Sequence, residues 1–575
     1  MMLLGHGMEQ SNRRSGGKMR KLSILVFVIL LLPVWVGAAT YYVRNDGHDT
    51  ASGANNTTDG TTGAWQTLSK AQATATTGDT VKLKDDHLWR EQFTIPASTF
   101  TLTHTGDGTN LPKIYGSTQV STWENESGNL WYATCATDPN SVWIVKTDGT
   151  IIWAKEQATK GALAAEYDWW YDAPNTRIYL YAATDPDIRY TYVEKPTRNY
   201  CIYSSGKNNV TISYIDTSFS GPLYADGYGA IYIINSTSPI VEYCKVHHNG
   251  VLEASDPNGN GIYLTQTTNQ IVRYNTVSHN ARRGIITFAA QNNVSNAIIE
   301  HNTCFNNYHS QIDNFITVLG ASDVWTFDGL TIRYNSCYLD SDFSVGGLPV
   351  LPSSCGISLG GPGNTSNTSR ITNVKIYNNI CVNLWNNPAI NVIRTVNGVE
   401  IYNNTVYGKY TGSTASTGIY TGSDRITNAK IKNNIGLNTY GNILEIAGGD
   451  ASIASAADVD YNLWYKNTEA GSPNWVTVPG HTNSPYISSE FAAYKSETGF
   501  DAHGLWVDPL FVIDGTDLHL QATSPAKDAG TNLASVGVTD DFAGITRPQG
   551  AGYDIGAYEY GIPGFTGTLT GGSIR

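Results

Sequence analysis

The sequence predicts an all-β solenoid, a stack of short parallel strands wound into successive coils. Three observations lead there: a six-residue motif that returns through the middle of the chain, a series of Gly-Ile pairs beside it, and a composition poor in charge but rich in Gly and Tyr. The motif, apolar-x-x-Asn-x-apolar, occurs at Val272…Asn275…Val277, Ile299…Asn302…Cys304, Ile332…Asn335…Cys337, Ile376…Asn379…Cys381 and Ile401…Asn404…Val406. A weaker copy is Ile431…Asn434…Gly436, and in an earlier one, Val241…Cys244…Val246, Cys replaces the Asn. Counted from Cys244, the intervals are 31, 27, 33, 44, 25 and 30 residues. A constant motif at variable spacing is what stacked coils with variable loops produce, because each coil buries its apolar residues only against the next. Ile, Val, Tyr and Thr in the coils favour strands over helical repeats. Asn suits the corners: it tolerates the left-handed conformation, and when stacked at ~4.8 Å its amide bonds the Asn above and below. The Gly-Ile series runs Gly229-Ala230-Ile231, Gly261-Ile262, Gly284-Ile285, Gly356-Ile357 and Gly418-Ile419, with Ile316 and Ile390 expected in register between them.

The composition agrees. Of 575 residues 57 are Gly, 35 Tyr and 15% charged, with a net charge of −13. That charge content is below the ~25% of ordinary globular chains and excludes a disordered acidic chain or solvated helices. With 36 basic against 49 acidic residues, a nucleic-acid partner is not expected. Residues 1–39 read as a secretory signal: Arg13, Arg14, Lys18, Arg20 and Lys21, then an apolar run from Leu22 to Val36, then Gly37-Ala38-Ala39. The alternative, an uncleaved membrane anchor, meets a run shorter than the ~20 residues of a spanning helix and broken by Pro33. A secreted or cell-surface monomer without membrane attachment after cleavage is expected.

Residues 40–116 are read as an N-terminal cap and first coils, 117–200 as an aromatic β-rich insertion, 201–560 as the main solenoid with its closing coils, and 561–575 as a flexible tail. In the insertion six of the fourteen tryptophans, Trp123, Trp131, Trp143, Trp153, Trp169 and Trp170, fall within 48 residues, and runs such as Arg177-Ile178-Tyr179-Leu180-Tyr181 alternate as antiparallel strands do. Most of these rings must form its core, and the rest are platforms for sugar rings. Seven cysteines leave at least one unpaired. Cys304, Cys337 and Cys381 share one slot in consecutive coils, which is either a stack of buried thiols or a rung-to-rung disulfide.

The pattern resembles the right-handed parallel β-helix of the pectate-lyase-like superfamily of secreted polysaccharide lyases and β-helix glycosidases. Tyr41-Tyr42-Val43…Gly47, Trp65-Gln66-Thr67-Leu68…Ala71 and Gly78-Asp79-Thr80-Val81 are similar to the capping helix and first strand of secreted members. The stretch from Trp506-Val507-Asp508-Pro509-Leu510-Phe511 to Ser524-Pro525-Ala526-Lys527-Asp528-Ala529-Gly530 resembles their closing coils. Asp554-Ile555-Gly556-Ala557-Tyr558-Glu559-Tyr560 resembles a C-terminal signature of such exported bacterial proteins, and Trp169-Trp170-Tyr171-Asp172…Arg177 an insertion of some β-helix glycosidases. The resemblance implies a polysaccharide or oligosaccharide substrate bound along a groove on one sheet. It does not name the reaction, because many chemistries share this scaffold.

For the chemistry, segment 245–313 stands out. It holds five of the twelve His (His247, His248, His279, His301, His309) and Lys245, Arg273, Arg282 and Arg283 against Glu253, Asp256, Glu300 and Asp313, so it is charge-balanced within an acidic chain. Asp226, Asp256, Arg282, Arg283, His309 and Asp313 lie just before the Gly-Ile strand starts and are expected along one edge of one sheet. Arg273, Glu300 and His301 sit inside the repeat motif and read as structural. In a lyase a base takes the proton α to a uronate carboxyl while Ca²⁺ or Arg offsets the substrate's charge. Lys245, His279, Arg282, Arg283 and His309 are then the catalytic candidates, with Asp226, Asp256 and Asp313 as Ca²⁺ ligands. In a glycosidase two carboxylates flank the bond, ~5–5.5 Å apart for retention and ~6.5–9.5 Å for inversion. Asp226 and Asp256 on neighbouring coils suit the first distance, Asp256 and Asp313 two coils apart the second. Asp256-Pro257-Asn258-Gly259 partly resembles the Asp-Pro-His motif of mannuronan epimerases, but Asn258 stands in place of the His. The leading expectation is an enzyme that cleaves a polysaccharide by β-elimination or hydrolysis; the alternative is a non-catalytic glycan-binding or adhesive surface protein.

Overall fold

The computed structural model describes residues 37–561, apart from 222–226, 252–257, 290–291, 317–324, 341–354, 361–369, 385–386, 394–395, 409–416, 423–425, 438, 440, 447–456, 467–473 and 482–483. The signal segment, Asp226 and Asp256 therefore lie outside the described residues. Three long parallel sheets, here called A, B and C, contain 13, 12 and 12 strands. The chain visits them in turn: Gly229–Ile234 in C, Ile240–Glu242 in A, Lys245–His247 in B, then Asn260–Thr265 in C again. This is the expected parallel β-helix. Its core is an unbroken column of inward Ile, Val, Leu and Cys side chains, among them Ile212, Val241, Val272, Ile299, Ile332, Ile376, Ile401 and Ile431.

The repeated Asn forms the A-to-B corner. Oδ1 of Asn275 accepts from the backbone N–H of Cys244, and then Asn302, Asn335, Asn379, Asn404, Asn434 and Asn462 each take the N–H and Nδ2 of the Asn one coil before. Asp501 ends the ladder, accepting from Asn462, Trp464 Nε1 and Tyr494. The left-handed residue is not the ladder Asn, however, but the one before it: Tyr274, His301, Tyr334, Asn378, Asn403, Asn433 and Tyr461 have φ of 49–58°. That residue makes the bend, which frees the Asn to aim its amide into the stack. A second ladder at the B-to-C corner runs from Asn249 through Asn280 and Asn307 to Gln311.

The Gly-Ile series opens the strands of sheet C. A Cβ on Gly284 would lie 2.5 Å from the carbonyl of Gln311, and one on Gly356 2.6 Å from that of Ala389, so the close approach of the next coil selects glycine. The register differs from expectation at one rung: Ile312, not Ile316, aligns with Ile285 and Ile357. Gln311 fills the glycine slot there, and its side chain serves the second ladder. Cys304, Cys337 and Cys381 do align in sheet B, and all seven cysteines are buried free thiols.

At the N-terminal end the helix Leu68–Thr74, capped by Thr67 Oγ1, lays Leu68 and Ala71 on the first coil. The insertion folds into a four-stranded and a five-stranded sheet, mostly antiparallel, around Val120, Trp123, Val142, Ile144, Trp169, Ile178 and Leu180. Trp143 leaves that core and packs with Tyr115 and Phe219 against sheet B. At the other end, coils are not continued over 507–530 as expected. Leu505–Trp506 is the last strand of sheet B, and the chain turns into the antiparallel hairpin Phe511–Ile513 and Asp517–Leu520. This segment covers the outer face of sheet B, where Phe511, Leu518, Leu520, Ile555 and Ala557 pack on Ile380, Val382, Ile435, Leu437 and Leu463. A buried Arg547–Glu559 pair holds it, and Asn403 Nδ2 donates to the carbonyls of Asp554 and Gly556.

Candidate active site

Strand alternation sends every second residue of sheet C outward. One outward row reads, in register, Tyr203, Tyr232, Tyr263, Ile286, Asp313, Ser358, Asn391, Tyr420 and Glu445. Its middle, from Tyr263 to Ser358, is buried, while the residues on either side are half-buried. Toward the N-terminal end the rings of Tyr203 and Tyr232 lie 5.9 Å apart and nearly parallel, and Tyr200 stacks on both at 4.9 and 5.0 Å.

In the sheltered middle Arg283 Nε donates to Asp313 Oδ2 at 2.5 Å, with the guanidinium 5.2 Å over the ring of Phe315. Arg283 is 8% and Asp313 4% exposed, so each charge depends on the other for compensation. Arg282 follows the second ladder into the same strand and donates to Asn258 Oδ1 at 2.9 Å. Burial, then the neighbouring Arg283, brings its guanidinium down to about 10. The exposed His309 is tied by its backbone N–H to the carbonyl of Arg282 and contacts Ser310 Oγ. Four of the sequence candidates, Arg282, Arg283, His309 and Asp313, thus gather at the head of two neighbouring strands.

Lys245 and His279 stand elsewhere. Lys245 is on the outer face of sheet B, and His279 is at the B-to-C corner with φ of 54°. The Asn249–Asn280–Asn307 ladder turns the chain between them and Arg282, so side chains close in sequence leave different sheets. The expected single edge is therefore two clusters. Around Lys245 and His279 the structure gathers His247 and His248, which the sequence reading named in the His-rich segment without a catalytic role, and adds Asp216 and Asp340, which it did not single out. His247 Nε2 bonds Asp216 Oδ1 at 2.8 Å, and His247 Nδ1 bonds His248 Nδ1 at 2.7 Å. The rings of His248 and His279 stack at 4.7 Å, and Trp143 of the insertion meets His248 edge-on at 5.4 Å. Asn306 Nδ2 contacts both His279 Nε2 and Asp340 Oδ1. Burial opposes the Asp216 carboxylate, yet His247 and Lys245 hold it below its ordinary range; burial and the other His push His248 well down. The signal for this cluster was spacing: Val246-x-x-Asn249 and Val277-x-x-Asn280 repeat the apolar-x-x-Asn rule and place His248 and His279 at one corner.

Arg273 and Glu300 are structural as read, pairing with Glu242 and Arg333 at 2.7 Å, and His301 stacks between Tyr274 and Tyr334. Among the described residues no three His, Cys, Asp or Glu side chains gather as metal ligands. Asp313, the one described member of the calcium set, gives Oδ2 to Arg283. No described helix is long and apolar enough to cross a membrane.

Residues 176–316 match the family described as the right handed beta helix region. Among solved structures, a complex of XylC with xylose is 13% identical with a TM-score of 0.52, covering 91% of this chain and 99% of that one. Pectate lyase Pel9A is 14% identical, with a TM-score of 0.45 and coverage of 91% and 96%. A GH136 lacto-N-biosidase from Eubacterium ramulus is 12% identical, with a TM-score of 0.42 and coverage of 82% and 66%. At such identities the likeness concerns the fold alone: a right-handed parallel β-helix. No curated protein matches the chain in sequence.

Proposed function

We propose that this protein is an exported carbohydrate-active enzyme that cleaves a polysaccharide lying along the outer face of sheet C. The observation that carries the reading is the buried Arg283–Asp313 pair beside Arg282, set within a row that offers tyrosine rings on one side and polar side chains on the other. Charges placed on an outward face and sheltered from water are costly for folding and useful for catalysis, where a low dielectric strengthens each interaction. Arg282 beside that pair favours β-elimination: its guanidinium can offset a uronate carboxyl while His309, at the same strand head, takes the α proton and the β-linked sugar oxygen leaves with the electron pair. Hydrolysis is the second reading, favoured by the Asp313 carboxylate in the centre of the row, with Asp256 as the partner acid.

A panel of acidic and neutral polysaccharides, with and without chelator, tests this. New reducing ends with the ultraviolet absorbance of an unsaturated product indicate elimination, and new ends alone indicate hydrolysis. Binding without new ends overturns the enzyme reading and leaves the glycan-binding alternative, and no response to any polymer overturns both. Arg283→Lys should lower turnover by roughly 100-fold, the scale of losing one aligned donor from a charge-stabilising site.

A further inference from the structure

Sheet B carries charges that its coils do not need. Along its outer face one column reads Asp216, Lys245, Thr276, Thr303, Ser336, and the next Ser218, His247, Ser278, Phe305, Tyr338, all in register. Rungs built with Thr and Ser at these positions pair as well as those with Asp, Lys and His. The Asp216–His247 pair, 5% and 4% exposed, thus costs desolvation that strand pairing does not require. Buried clusters of titratable groups recur at functional sites.

The hydrogen bonds order the tautomers. The Asp216 carboxylate accepts from His247 Nε2–H, so a neutral His247 accepts at Nδ1 from His248 Nδ1–H, which leaves Nε2 of His248 as an acceptor. Lys245, its side chain 52% exposed, adds a donor 4.0 Å from Asp216. Half-buried Thr276, Thr303, Ser336, Phe305 and Tyr338 continue the floor. Trp143 closes the N-terminal end, and the C-terminal segment over Ile380 and Val382 closes the other. Four rungs lie between, about 14 Å at the ~4.8 Å strand spacing.

We propose that this stretch of sheet B is a second ligand site, separate from the sheet C centre, that binds a short run of neutral sugar units. Hydroxyl groups suit it because acceptor, donor and hydroxyl side chains alternate with aromatic edges. Lys245 and, one rung before Asp216, Lys113 both act on the Asp216 carboxylate, whereas Arg282 in sheet C donates to the neutral Asn258, so a polyanion is better served there than here.

Calorimetric titration with xylotetraose, cellotetraose, mannotetraose and tetragalacturonate tests the site. The Asp313→Asn chain is used to prevent turnover, or the wild-type chain if that variant melts early. At least one neutral tetrasaccharide should bind, and His248→Ala and, independently, Thr276→Trp should weaken it at least tenfold while the chain stays folded and the turnover of the wild-type background is unchanged. Unchanged affinity in both variants, no binding of any neutral tetrasaccharide, or preference of this face for tetragalacturonate overturns the proposal. Failure of the cleavage panel would leave these titrations readable, so the two readings fall separately.

Discussion

A carboxylate and a guanidinium held together under little solvent, as Asp313 and Arg283 are, serve stability and chemistry at once, and substitution separates the two. Asp313→Leu leaves the Arg283 charge uncompensated and should cost about 3–5 kcal/mol in denaturant unfolding. Combining it with Arg283→Met removes both charges, so stability should largely return while polysaccharide cleavage stays absent. Recovery of activity with stability would remove the pair from the chemistry. His279 gives a pH signature. Burial brings its imidazole down to about 4, against Asp340, which raises it, and with His247 and Lys245, which lower it further. The fold therefore prefers neutral His279; its contribution is complete above the ordinary His value near 6.5 and is lost as pH falls toward 4. His279→Gln should flatten the fall in melting temperature between pH 6.5 and 4, and an unchanged slope would place that acid sensitivity elsewhere.

At the scale of elements, the corner ladder is where a single atom has most influence. Asn379 accepts from two groups of Asn335 and donates to the Ile332 carbonyl and to Asn404, all fully buried. Asn379→Ala strands several buried donors and acceptors and should cost about 2–4 kcal/mol. Asn379→Asp should be worse, because a carboxylate accepts from Asn335 but cannot donate to Ile332, and chemical denaturation of the two variants gives the order directly. The C-terminal segment is a separate element with its own fastening. Arg547→Ala removes donors to Glu559, Gly556, Ala557 and Asn378. Limited proteolysis should then trim the chain beyond Trp506 while the coils persist; trimming no faster than in the wild type would show that apolar packing alone holds it.

Across the whole molecule, the coils are one continuous core rather than separate domains, because each rung is buried by its neighbours. Six of the seven thiols share that protection, and Cys135 is buried in the core of the insertion. No cysteine should react with an aromatic disulfide reagent in the native state, and all seven should react once denatured without reductant. Five reactive thiols after denaturation would instead reveal a rung-to-rung disulfide in the Cys304–Cys337–Cys381 stack.

The solenoid was legible because successive coils from Val272 onward repeat one local rule, an inward apolar residue followed three positions later by Asn, and a rule repeated so often survives variable loops. Even its exception was local: Gln311 replaced a glycine and shifted the apparent register by four residues. The sequence by itself determined the sheet architecture, the stacked cysteines and the structural role of Arg273 and Glu300. What only the tertiary structure decided is which charged residues share a face. His279 and Arg282 are three residues apart in sequence, but Asn280 of the corner ladder turns the backbone between them. Asp216 and His247, 31 residues apart, meet because adjacent coils stack in register. Proximity in a β-helix is set by the rung and the face, and those are known only once every loop has closed.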